Sequence, residues 1–187
     1  MDSTTKVALK SIEIAGFKTF TEAVRIDFAQ GLNALLVTTE YGIPSGWWDF
    51  FDAFLWLFGK QMWHGMQILF DDGVDFAEVK AAVTDEDGNE ITIARKISKG
   101  KDASEFSAEG TDGKTALARL EKYFQTDKKN SITFGKTKIT VANEDKSLAM
   151  RADKLIGITT DKSGKKSKAL VLSRAEDDDT ANDNVEE

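Results

Sequence analysis

The sequence predicts an α/β (α+β) fold in which mixed β-sheets pack around one apolar helix, with additional C-terminal β-hairpins. Three observations predict it. Short segments that alternate apolar and polar residues, or run continuously apolar, open the chain at 9–14, 24–28 and 32–37 and read as strands. The run Trp47–Phe58 has seven aromatic residues among twelve, and its apolar side chains surround nearly the whole helix, so it must be buried on more than one face. Downstream, strand-like runs recur in pairs joined by Gly-, Asp- and Lys-containing turns, the signature of hairpins.

Taken in order, Leu9–Ile14 alternates as a first strand, Val24–Phe28 as a second, and Leu32–Val37 reads as a buried third. A loop and the apolar helix follow. Strand, loop and helix in this order make the layout of a phosphate-binding P-loop domain. Ala77–Thr84 and Glu90–Ser98 flank the turn Asp85-Glu86-Asp87-Gly88-Asn89. Ser104–Ser107 is a short edge strand. Thr115–Gln125 places Ala116, Leu117, Leu120, Tyr123 and Phe124 at helical spacing. Ile132–Phe134 and Lys138–Val141 flank Gly135-Lys136, and Leu155–Thr159 and Ala169–Leu172 flank a lysine-rich turn.

Specific residues carry a resemblance. Gly16-Phe17-Lys18-Thr19-Phe20 ends the first strand, Gly31-Leu32-Asn33-Ala34-Leu35 forms the third, and Asp52-Ala53-Phe54-Leu55-Trp56-Leu57-Phe58-Gly59 fills the helix. Together they resemble the N-terminal head segment of the SMC (structural maintenance of chromosomes) and recombination-repair ATPases of the ABC class. The likeness continues through Phe76–Val79 and Glu90–Ile97 to about Phe124. It implies an ATPase-like head lobe of DNA maintenance, with the Trp47–Phe58 helix as the core helix between two sheet layers.

The phosphate loop departs from that pattern. A P-loop needs glycines whose backbone N–H groups wrap a phosphate, a lysine for the β/γ-phosphates and a Ser/Thr for the metal. Here Tyr41, Gly42, Pro44, Ser45, Gly46, Trp47 and Trp48 occupy the degenerate loop, with two indoles where Lys and Ser/Thr are expected. Pro44 removes one N–H donor. Lys60 is no substitute, since it lies roughly 20 Å along the helix from Gly46 at about 1.5 Å per residue. The family's ABC signature motif and Walker B carboxylates are also missing. The expectation is a non-catalytic head lobe with no cofactor, the alternative being a Mg-ATP-binding half of a split ATPase. Ala108–Thr115 fits a permissive Walker A pattern, but the polar run before it is not a buried parallel strand, so chance explains the match.

Composition narrows the chemistry. At 187 residues, 41% hydrophobic and 30% charged, the chain supports one globular domain. It has no cysteine and one histidine, His64, which excludes thiolate chemistry and His-cluster metal sites. No catalytic residue and no metal ligand set is expected; Asp71, Asp72 and Asp75 read as solvated loop carboxylates. The apolar helix is shorter than the roughly 20 residues a bilayer requires, and Met1–Lys6 is polar, so the expectation is a cytoplasmic protein with no membrane contact.

The net charge of −7 is uneven, because 176–187 holds seven acidic residues and no basic one. The expected organisation is a head lobe at 1–125, a β-hairpin extension at 126–175 packed on the same domain, and a disordered acidic tail at 176–187. Lys162, Lys165, Lys166, Lys168 and Arg174, with Lys18, are the candidate phosphate or nucleic-acid contacts, for weak DNA binding that falls as salt rises. A protein partner is expected: an SMC-type head, an accessory subunit or a second copy. The family's C-terminal lobe completes its main sheet. Here either the later hairpins replace it, or an apolar face and an open sheet edge await that partner.

The loop reading predicts that the double substitution Trp47→Lys, Trp48→Ser does not restore ATP binding while Pro44 and the rest of this loop, longer than the family's by about four residues, remain. Calorimetric titration with Mg-ATP should register no heat of binding, and tight binding by that variant would overturn the reading.

Overall fold

The computed structural model describes residues 6–39, 46–64, 73–127, 130–143, 145–160 and 167–172. They form two sheets with a helix between them. The first sheet is antiparallel throughout and has the order β2-β1-β4-β5-β6, from β1 (Ala8–Ala15), β2 (Val24–Asp27), β4 (Phe76–Thr84), β5 (Glu90–Ser98) and β6 (Glu105–Ala108). The second is mixed. Its order is β11-β10-β3-β9-β8-β7, from β3 (Gly31–Thr39), β7 (Phe124–Asp127), β8 (Ser131–Phe134), β9 (Thr137–Val141), β10 (Lys154–Thr160) and β11 (Ser167–Leu172).

The apolar helix, α1 (Gly46–Leu57), contacts β4 and β5 of one sheet and β10 of the other. Phe50, Phe51, Phe54, Leu57 and Phe58 are all buried. At the C-terminal end of α1, Phe58 stacks on Phe124 with ring centroids 4.6 Å apart and lies 5.4 Å from Phe134. Phe54 reaches Phe28 at 6.1 Å. Each such side chain contributes about 1.5–3 kcal/mol of transfer free energy when buried, so the all-round aromatic pattern is what holds the two sheets on one helix.

β3 is central. It pairs in parallel with β9 on one side (Gly31↔Thr137 to Leu35↔Val141) and with β10 on the other (Lys154↔Asn33 to Thr160↔Thr39). The expected hairpins are present as β8–β9 and β10–β11, both antiparallel. Of the two arrangements the sequence left open, the first therefore holds beside β3: later strands flank it within the same chain. The bend entering β3 is closed by Asn33, fully buried, whose Oδ1 accepts from Ala29 N–H at 2.9 Å while its Nδ2 donates to Ala29 O at 2.9 Å.

Two expectations need correction. The helix expected over 115–125 is α2 (Gly113–Leu120), followed by a 3-10 turn at Glu121–Tyr123 and then by β7, which begins at Phe124. Helical spacing alone suggested continuation, but Phe124 pairs across the sheet with Phe134 and stacks on Phe58, so tertiary packing takes the residue into a strand. The short helix α3 (Lys146–Arg151), capped by the Asp145 carboxylate accepting from Leu148 N–H, was not read from the sequence.

The sheets are stitched together where β1 meets the β8–β9 turn. Lys136 N–H donates to Val7 O at 2.9 Å. The buried Thr137 hydroxyl accepts from Leu9 N–H at 3.0 Å and donates to Leu9 O at 3.1 Å. Gly135 adopts φ +54 at this seam, and a Cβ there would sit 2.1 Å from Val7 O. Gly135→Ala should therefore combine left-handed strain with a backbone clash and lower stability by about 2–3 kcal/mol. Urea unfolding checks this; a change within a few tenths would mean the seam yields without cost.

Candidate functional site at the start of the core helix

The turn after β1 begins with Gly16, at φ +63, where a Cβ would lie 2.0 Å from Phe76 O. Phe17 and Phe20, both fully buried, close the turn with reciprocal backbone hydrogen bonds of 3.1 and 2.9 Å. Lys18 sits between these anchors at φ +50, in a region non-glycine residues seldom adopt. The anchored turn points the Lys18 side chain inward toward α1. Its ammonium lies 2.5 Å from Asp52 Oδ2 and 3.9 Å from Asp49 Oδ1, and also donates to the carbonyl of His64. The side chain retains only 10% exposure.

Asp52 is the hub. It is fully buried, and its carboxylate accepts from Trp63 N–H at 2.6 Å and from His64 N–H at 3.1 Å as well as from Lys18. One carboxylate thus fixes the turn at 16–20, the core helix and the segment after the helix. Asp49, one turn earlier, accepts from Thr19 N–H at 3.3 Å. Burial pushes the Asp49 carboxyl above the usual aspartate range, opposed by the Thr19 hydrogen bonds and the Lys18 charge.

Aromatic rings complete the cluster. Trp48 stacks on His64 with centroids 4.0 Å apart and planes at 26°, and meets Trp63 edge-on at 6.4 Å. Trp63 also packs against Phe51 at 5.4 Å. The first turn of α1 therefore carries an indole held by two neighbouring rings and a carboxylate of its own. A helix N-terminus favours negative charge, and here Asp49 supplies it.

The sequence-derived candidates separate. Gly46 and Trp47 open α1 and Trp48 lies in its first turn, whereas Tyr41, Gly42, Pro44 and Ser45 lie outside the described residues. Lys168 lies on β11 opposite Thr159 of β10. Lys162, Lys165, Lys166 and Arg174, and the acidic segment 176–187, are outside the described residues. Lys18 is largely buried, and its ammonium is paired with Asp52. Lys60 pairs with Glu121 at 3.2 Å. The permissive Walker A match follows the edge strand β6, and its Asp112 caps α2 by accepting from Thr115 N–H at 2.9 Å.

Sequence reasoning missed Asp52, Asp49 and Trp63 as members of this cluster. A signal existed: two carboxylates three residues apart share one face of a helix, and in a helix that must be buried all round they require a cation. Among the described residues no group of three or more His, Cys, Asp or Glu is placed to hold a metal, and no helix is long and apolar enough to cross a membrane.

No protein-family model matches this sequence, and no curated protein matches it. Solved structures do share its fold. The SMC head domain from Thermotoga maritima aligns over 89% of this chain and 99% of its own, with a TM-score of 0.59 and 14% identity. A structure of the recombination mediator protein RecF with ATP, from the RecFOR pathway, aligns over 59% of this chain at 16% identity. A second RecF nucleotide complex aligns over 64% at 18%. Both give TM-scores of 0.49, and the chain covers only 29% and 31% of them. At these identities the likeness establishes the fold, an SMC-head-like arrangement, and it extends past the first 125 residues in which the sequence showed a resemblance.

Two expectations follow from the cluster. Asp52→Asn removes the nearer of the two carboxylates paired with the buried Lys18 ammonium, leaving only Asp49 at 3.9 Å, and should cost about 3–5 kcal/mol in urea unfolding; a loss below about 1 kcal/mol would mean that Asp49 or water takes over the charge. Asp49 holds its proton more tightly folded than unfolded, so its contribution is fully present below the unfolded value and is lost as pH rises through the folded one. Asp49→Asn should accordingly leave stability unchanged in strong acid and raise it near neutrality, measured by parallel unfolding at the two pH values.

Proposed function

We propose that the chain is a non-catalytic, SMC-like pseudo-ATPase head lobe that acts through protein–protein interaction, as a structural subunit, decoy or inhibitor of an SMC-type complex. The observation that carries this reading is the occupied start of α1. Trp48 is stacked against His64 in the first turn, Asp49 presents a carboxylate at the same end, and the nearby Lys18 is held by Asp52. Anion binding at a helix N-terminus depends on free N–H groups, positive field and room for the phosphate. This chain fills the space with an indole, offsets the field with Asp49, and turns its nearest cation inward.

Two other readings weigh less. A split ATPase whose other lobe arrives in trans would need room beside the central strand, yet β9 and β10 flank β3 on both sides in cis. A nucleic-acid module would draw on Lys18 among its cations, and that ammonium is taken up by Asp52 in a largely buried ion pair. The likeness to an SMC head domain supports a partner of that class: an SMC-type head, an accessory subunit or a second copy.

The test is calorimetric titration of the purified chain with Mg-ATP, beside solution mass measurements alone and mixed with an SMC-type head. The expected result is no heat from nucleotide and a stable complex whose formation ignores ATP. Micromolar Mg-ATP binding, about −8 kcal/mol, would move the assignment to the split ATPase. A monomer that joins no such head would remove the interaction reading.

A further inference from the structure

A groove of about 370 Å³ opens beside the seam between the sheets, lined by Lys6, Lys10, Gln30, Thr84, Gly88, Glu90 and Lys136. Three ammonium groups face one carboxylate there. Lys10 owes its place to a β-bulge: the β1–β4 register runs Leu9↔Val83 and then Ser11↔Ala82, so Lys10 is the extra residue that a bulge re-aims. Lys136 follows the strained Gly135 in the β8–β9 turn, and its backbone is tied to Val7 O and Gly31 N–H. Lys6 is steered by a hydrogen bond from its ammonium to Asp87 O at 3.1 Å. Among the described residues, no carboxylate lies within 4 Å of the Lys10 or Lys136 ammonium. Thr84, 9% exposed, has a buried hydroxyl with no hydrogen-bond partner in the wall of the same groove. A positive cleft of this kind suits a run of carboxylates.

The chain itself carries such a run. Residues 176–187 hold Glu176, Asp177, Asp178, Asp179, Asp183, Glu186 and Glu187 and no basic residue. The last described strand ends where the run would need to start. Leu172 of β11 pairs with Leu155, which pairs with Ala34 near the beginning of β3, so β11 ends at the same end of the sheet as Gln30. From β11 to β9 is three strand spacings, about 14 Å, while fifteen residues extend up to about 50 Å.

We propose that this groove is a docking site for an acidic peptide and that its resident occupant is segment 176–187 of the same chain, its carboxylates seated on Lys10 and Lys136. The segment's carboxylates then neutralise the three lysines of this groove.

The experiment uses the full chain, a second full-length chain with those seven acidic residues changed to Asn or Gln, and a fluorescein-labelled peptide of residues 173–187 followed by anisotropy. The neutralised chain should bind the peptide, and the full chain should bind it at least about tenfold more weakly, because a tethered segment competes at millimolar effective concentration. Adding Lys10→Glu and Lys136→Glu to the neutralised chain should weaken peptide binding at least about tenfold, as should raising the salt. If the Lys10 change perturbs the bulge, seen by circular dichroism, Lys136→Glu alone at its exposed turn still must weaken binding. Equal binding by full and neutralised chains overturns the proposal, as does indifference to the lysine substitutions. A labelled DNA duplex binding the neutralised chain more tightly than the peptide assigns the groove to nucleic acid and overturns it too.

Discussion

A helix with apolar side chains around its whole circumference has to be enclosed, and α1 imposes that constraint on everything else. One sheet covers only one side. The antiparallel sheet supplies β4 and β5 against α1, and the mixed sheet supplies β10. The connection between the layers must then be made elsewhere, and Thr137, Gly135 and Lys136 make it at the opposite end of β1 from the Lys18 turn. The aromatic contacts of Phe58 with Phe124 and Phe134 link the end of the helix to strands more than sixty residues later in the chain.

Within that enclosure a buried carboxylate is tolerable only if it is satisfied. Asp52 meets the requirement with one ammonium and two backbone N–H groups, and in doing so it determines what the helix start offers. Lys18 faces inward; the segment at 63–64 folds back over the first turn; Trp48 and His64 stack there. The same contacts that stabilise the core therefore shape the candidate site, which is why the site reads as closed by the protein's own groups.

Most of the elements were legible in the sequence because their patterns are local. Alternation marked β1, β4 and β5, and the run of 32–37, apolar except for Asn33, marked the buried centre of the mixed sheet, where β3 has neighbours on both sides. What local patterns could not carry was pairing. Nothing in Lys138–Val141 or Leu155–Thr159 says that these segments lie on either side of β3, since that depends on contacts across more than a hundred residues. Phe124 shows the same limit in one residue, helical by spacing and extended by packing. In the site, the indoles of the loop were visible as an anomaly. The partnership of Lys18 with Asp52 was not, because a lysine in a Gly-Phe-Lys turn reads as exposed until the left-handed backbone at Gly16 and Lys18 turns it inward.

The parallel neighbours of β3 also have a consequence in time. Residue 33 cannot pair with residue 154, nor residue 31 with residue 137, until more than a hundred further residues have left the ribosome. At synthesis rates of about 5–20 residues per second, the edges of this strand stay unpaired for on the order of ten seconds while the aromatic helix beside it is already made. The nascent chain is then at its most adhesive, its unpaired strand edges and aromatic helix exposed together until the later strands arrive.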